Sequence, residues 1–154
     1  MRARLDKECV IKANNQFWEQ MLAMTLETMP VAERFCVGAG HILGSVDLSG
    51  VWRGRIEVRL GAGLAYSAAA AMLLQPIETV GEADTLDAIK EIANMIAGVI
   101  KSSLPRPCAM TVPASAVEVQ GYCCPPQTED TLSVAFRHSA GNLMVRVWEQ
   151  ECLE

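Results

Sequence analysis

The 154-residue chain is long enough for one domain with a substantial core and too short for two of ordinary size. Hydrophobic residues make up 51% and charged residues 20%, which excludes a disordered polar segment; aromatics are only 5%, so the core must rest on aliphatic side chains and Met. A formal net charge of -5 leaves no basic footprint, which argues against nucleic acid and against an anionic membrane surface as partners.

The first residues, Met1 to Glu8, are not followed by a long apolar run, so no secretory signal is expected. The most apolar stretch, residues 62–74, falls short of the roughly 20 residues a spanning helix needs. Both features point to a cytoplasmic protein without membrane insertion. The six cysteines (Cys9, Cys36, Cys108, Cys123, Cys124 and Cys152) form no C-x-x-C, and His41 and His138 lie far from any cysteine pair. Zinc spacing is therefore absent, and in that compartment free thiols are expected rather than disulfides.

Residues 5–29 read as an amphipathic helix: Val10, Phe17, Met21, Met24 and Leu26 recur at helical steps, with Pro30 as the stop. Residues 34–47 are mixed and Gly-rich, and Asp47-Leu48-Ser49-Gly50 has the composition of a turn. Residues 55–60 alternate as a half-buried strand does. Residues 62–74 are Ala-rich and apolar nearly all round, which predicts a buried helix closed by Pro76. Gly61-Ala62-Gly63 before it lacks the spacing of a phosphate loop and reads as a helix entry. Residues 84–104 are a further helix, closed by Pro105 and Pro107, and residues 111–120 a strand. Residues 123–130 form a Pro-rich loop. A terminal hairpin follows, Leu132, Val134 and Phe136 against Leu143, Val145 and Val147, turning at Ser139-Ala140-Gly141-Asn142. This order predicts a single α+β domain over residues 1–154, an antiparallel or mixed sheet packed on two or three helices.

The helix over 84–104 carries the chemical signal. With Asp87 as origin and about 100° per residue, Glu91 falls near ~40°, Asn94 near ~-20° and Gly98 near ~20°. Ile89, Ile92, Ala93, Ile96, Val99 and Ile100 cluster opposite and should be buried. The outward stripe is unusual for a stabilising surface: Asp87 and Glu91 are like charges at i,i+4, and Asn94 and Gly98 are poor helix formers. A plain structural reading stands beside the functional one. Asp87 can serve as a first-turn acid behind an Asp84 cap, Glu91 and Asn94 as solvated positions, and Gly98 as clearance for a neighbouring element.

The segment Leu86-Asp87-Ala88-Ile89-Lys90-Glu91-Ile92-Ala93-Asn94-Met95-Ile96-Ala97-Gly98 resembles the signature helix of the CheX/CheC/FliY family of chemotaxis phosphatases. Upstream, Asp47-Leu48-Ser49-Gly50 with the following strand, and the small-residue run from Ala68 to Leu74, resemble the family's strand, turn and helix. Downstream, Lys101-Ser102-Ser103-Leu104 and Val112-Pro113 resemble its helix exit and next strand. The likeness runs from Asn14 to about Tyr122, and more loosely through the terminal hairpin. One Asp-Glu-Asn stripe instead of two places it closer to CheX than to CheC.

The resemblance implies hydrolysis of the phospho-aspartate of a CheY-like response regulator. Asn94 would orient the attacking water, Glu91 would pair with a lysine beside the partner's phospho-aspartate, and Asp87, Met95 and Gly98 would contact the partner. It also implies no cofactor of the chain's own, with Mg2+ carried by the regulator, and a homodimer formed by sheet extension. The alternatives are a non-catalytic response-regulator-binding or scaffold module of the same fold, and an oligomeric domain whose stripe is plain solvent surface.

Overall fold

The computed structural model describes residues 5–150, so Cys152 lies outside the described residues. Helix α1 (Lys7–Leu22) starts where the Asp6 carboxylate accepts the Cys9 backbone N–H, a side-chain cap for an otherwise unpaired donor. It ends at Ala23, in the left-handed region with φ 52°, well before Pro30. The helix expected to reach residue 29 is shorter because the chain must turn here to lie along the sheet: Glu27–Thr28 is strand β1. Buried Val10, Ala13, Phe17 and Trp18 give α1 its inner face, and the Trp18 indole donates to the Asn14 amide oxygen at 3.0 Å.

Three helices lie on one face of a mostly antiparallel sheet, an α+β arrangement as expected. The remaining strands are β2 (Cys36–Val37), β3 (Ile42–Gly50), β4 (Gly54–Leu60), β5 (Cys108–Met110), β6 (Ala114–Val117), β7 (Tyr122–Cys123), β8 (Thr131–His138) and β9 (Gly141–Glu149). The main sheet runs β1-β8-β9-β4-β3-β5, with β6 also on the outer side of β3. Asp47 to Gly50, turn-like in composition, is the last part of β3, paired to β4 and β5, and the chain reverses only beyond Gly50. The strand expected over 111–120 is confined to β6. The terminal hairpin turns more tightly than expected, through Ser139 and Ala140 alone.

The period-two alternation of the strands decides what the helices cover. Ile42, Val46, Leu48, Ile56, Val58, Leu60, Val134, Phe136, Leu143, Val145 and Val147 are all buried in the main core. Helix α2 (Ala62–Leu73) is buried on one side only, through Leu64, Ala65, Ala68 and Ala69, so its all-round apolar character overstated its burial. It ends at Leu74, left-handed with φ 53°, before Pro76. Helix α3 (Glu82–Lys101) packs on β3 at Gly44. A methyl there would stand 2.9 Å from Ile89 Cγ2 and 3.0 Å from Ala93 Cβ. Gly44→Ala is therefore expected to destabilise by about 1–3 kcal/mol through overpacking, lowering the melting temperature by several degrees in a thermal scan; an unchanged melt would show that α3 yields without cost.

The other face of the sheet carries Arg55, Glu57, Arg59 and Arg146. The Glu57 carboxylate gathers Arg59 Nη1 at 3.3 Å and Arg146 Nη1 at 3.6 Å. Part of this face is covered by the β2–β7 ribbon. Tyr122 stacks on the Arg59 guanidinium, 3.8 Å from carbon to ring centroid, and Cys124 packs with Ala32, Ala135 and Met144 in a small second core. The ribbon is closed by a disulfide between Cys36 and Cys123, which corrects the expectation of free thiols. Its cause is register: the two residues are directly opposite, Cα atoms 4.0 Å apart, and the bond closes a loop across 87 residues that composition cannot reveal. Cys9, Cys108 and Cys124 remain free. The segment expected as a loop over 123–130 thus begins in a strand. Strand β9 is paired on both sides, so it offers no edge for dimerisation. The outer edge of β8 is partly taken by β1 and by the Gln127 amide, which bonds the Ser133 N–H and carbonyl.

Candidate functional site

Everything outward on α3 is positioned by what is inward. Thr85, Ala88, Ile89, Ile92, Ala93, Ile96, Ala97 and Ile100 are buried, and the stripe at Asp87, Glu91, Asn94 and Gly98 lies opposite them. Val99 departs from expectation: it is 37% exposed, because at about 120° it sits on the rim of the apolar arc. The helix starts earlier than expected. Gly81 holds the cap position, its carbonyl accepting both the Thr85 N–H and the Thr85 hydroxyl. Asp84 is inside the first turn, with Glu82, where the helix dipole favours acids. The Ser115 hydroxyl donates to the Leu86 carbonyl at 2.8 Å and ties β6 to the helix just before the stripe.

Two structural explanations of the stripe fall away. Asp87 lies beyond the first turn, so it is not an N-terminal acid. Gly98 is not clearance for an internal neighbour: a Cβ there would meet nothing within 4 Å. The space is on the outside. Asp87 is an exposed rim charge whose carboxylate lies 3.8 Å from Lys90 Nζ, an i,i+3 pair too exposed to stabilise much. Glu91 is exposed and Asn94 half-buried, and neither side chain has a hydrogen bond or ion pair among the described residues. Met95 is half-buried and packs on the main core, so only its outer part faces solvent.

A carboxylate and a carboxamide, one turn apart and without internal partners, can do two things. The carboxylate can take a cation, and the amide can both donate to and accept from a water, without titrating near neutral pH. Among the described residues, neither Cys108 nor either histidine lies on the stripe. Cys108 is buried, and burial pushes its thiol up against the opposing pull of the Lys101 ammonium. His41 is buried with Nδ1 2.9 Å from the Gly38 carbonyl, and His138 Nδ1 accepts the Ala140 N–H. Among the described residues no group of three His, Cys, Asp or Glu side chains is placed to hold a metal ion, and no helix is long and apolar enough to cross a membrane. The stripe does not end at Gly98. Lys101, near ~-40° on the same wheel, continues it, and the helical step alone could have found it.

A sequence profile described as Chemotaxis phosphatase CheX matches residues 42–137, a span that includes all of α3. That span covers most of the stretch from Asn14 to Tyr122 and takes in most of the first arm of the terminal hairpin. A search of the curated proteins finds no match. Among solved structures, the chemotaxis protein CheX from Vibrio vulnificus superposes with a TM-score of 0.77 at 18% identity, covering 97% of this chain and 100% of that one. CheX in the CheX–CheY–BeF3–Mg2+ complex from Borrelia burgdorferi gives 0.72 at 19% identity, covering 96% and 100%. FliY from Thermotoga maritima is more distant, at 0.57 and 15% identity, covering 95% and 92%. These likenesses establish the fold, and the profile, matching more than half of the chain, establishes that it belongs to the CheX family of chemotaxis phosphatases.

Proposed function

We propose that this chain hydrolyses the phospho-aspartate of a CheY-like response regulator. The observation that carries the reading is the pair Glu91 and Asn94: outward on one helix, without internal partners, beside the open position at Gly98, and within the span matched by the family profile. In the reaction a water attacks phosphorus, the bond from phosphorus to the aspartyl oxygen breaks, and the carboxylate leaves with its electron pair. Both protons of the water pass to the inorganic phosphate, which releases one to solvent as its ionisation near neutral pH requires. An acyl phosphate has a good leaving group, so the catalyst's task is placement of the water and stabilisation of charge. Asn94 places the water. Glu91 pairs with a lysine beside the phospho-aspartate and so docks α3 over the phosphoryl group. Asp87, the outer part of Met95 and the gap at Gly98 meet the partner surface. The chemistry needs no cofactor of this chain, the Mg2+ being held by the regulator.

CheY bound to the Borrelia CheX supports the choice of partner. Homodimerisation by sheet extension belongs to the same proposal, with β5 and β6, which end the sheet, as the strands to pair. The deciding experiment adds the purified chain to a phosphorylated CheY-like regulator and follows inorganic phosphate. Release several-fold faster than the regulator's own decay is expected. Binding that leaves the phosphoryl lifetime unchanged would replace the phosphatase with a non-catalytic docking module.

A further inference from the structure

The C-terminal end of α3 opens onto a groove of about 470 Å3 lined by Gly98, Lys101, Ser102, Arg106, Pro107 and Cys108. Two cationic residues from different elements line it. Lys101 closes the helix, and Arg106 comes from the segment that leads into β5, where the Pro107 carbonyl accepts the Val51 N–H and Cys108 pairs with Gly50. Lys101 is half-buried and Arg106 exposed, and neither has a carboxylate partner among the described residues. Complementing the helix dipole would account for Lys101 but not for Arg106. The groove is continuous with the stripe through Gly98, so the surface runs from acid (Asp87, Glu91) through amide (Asn94) and gap to the two cationic residues.

We propose that Lys101 and Arg106 form a cationic seat for the acidic rim around the regulator's phospho-aspartate, and that they fix the orientation in which the regulator docks. The proposal rests on the phosphatase reading above. A phospho-aspartate with bound Mg2+ sits among carboxylates, because the metal takes oxygen ligands. Lys101 lies seven residues past Asn94, about 10 Å along the helix axis, which is the distance of a rim contact and not of the reacting phosphorus. Docked one way, the partner's lysine meets Glu91 and its carboxylates meet Lys101 and Arg106. Docked in reverse, Asp87 and Glu91 would face those carboxylates, which like-charge repulsion disfavours. With a net charge of -5 overall, the chain needs a local cationic surface to receive an acidic one.

The test measures the affinity of the phosphorylated regulator for wild type and for the double variant Lys101→Glu/Arg106→Glu, at low and at high salt, with phosphate release followed in parallel. A loss of about tenfold or more in affinity at low salt is expected, together with a flatter salt dependence, since rim charges act mainly on encounter and are screened. The kinetic effect should fall on KM, with kcat changing far less. Lys101→Gln/Arg106→Gln, which avoids introducing new charge, should be intermediate. Unchanged affinity and salt dependence in both variants would overturn the seat even if the wild type is an active phosphatase. A wild type that binds regulator without hydrolysing it overturns the phosphatase reading alone, and the affinity comparison still decides the seat. No binding by wild type overturns both.

Discussion

Asn94→Ala is expected to slow phosphate release from the phosphorylated regulator by roughly 10²–10³-fold, the loss that follows removal of one preorganised polar group at a reacting centre. The structure makes this a clean experiment. The Asn94 side chain has no hydrogen bond within the described residues, so truncation orphans no buried donor or acceptor. Ala is also the better helix former, which should leave the melting temperature unchanged or slightly raised. A large rate loss at undiminished stability therefore assigns the effect to the water. Two further variants separate the amide's roles. Asn94→Asp retains an acceptor, removes the donor and brings a negative charge towards the phosphoryl group, so it should be at least as slow as Ala. Asn94→Gln retains both functions on a longer arm and should keep part of the rate, because placement and not acidity is what the residue supplies. Phosphate release within twofold of wild type in Asn94→Ala would remove the mechanism.

The parts of this site that could be read from sequence are those governed by local periodicity. On α3 the outward and inward arcs were legible because a helix repeats every 3.6 residues, whatever it packs against. Its ends were less so. Asp84 has the composition of a cap, yet the cap position is held three residues earlier by Gly81, without a side-chain bond, and Asp84 lies inside the first turn. Residues 23–29 continue the apolar rhythm of α1, but α1 stops at Ala23 because pairing of Glu27 and Thr28 with β8 draws the chain away. Asp47-Leu48-Ser49-Gly50 has turn composition, and tertiary pairing to β4 and β5 overrides it. The least legible features are those joining distant segments. Cys36 and Cys123 meet only because β2 and β7 fold across the second face of the sheet. Glu57 and Arg59 alternate as solvent-facing residues should, but are buried at 8% exposure by the partners and ribbon around them. Arg106 reaches the groove beside Gly98 for the same kind of reason, and no spacing along the chain announces it.

Glu91→Ala should reduce kcat/KM for the phosphorylated regulator by about 30- to 150-fold, equivalent to roughly 2–3 kcal/mol for a charge pair desolvated in an interface. Within the free protein the sign is opposite. Asp87 and Glu91 are like charges one turn apart, and Lys90 lies near Asp87, so removing Glu91 should leave α3 as stable as before or a few tenths of a kcal/mol more so. Kinetics and a thermal melt on the same sample thus move in different directions, which a general loss of folding cannot imitate. Glu91→Gln keeps the shape without the charge and should resemble Ala if pairing is ionic, but wild type if the side chain only fills space. The pair itself is tested by exchange: Glu91→Lys should be worse than Ala, and should regain activity with a regulator whose facing lysine is changed to Glu. A kcat/KM within twofold of wild type for Glu91→Ala, or no recovery in the exchanged pair, would show that docking of α3 does not depend on this carboxylate.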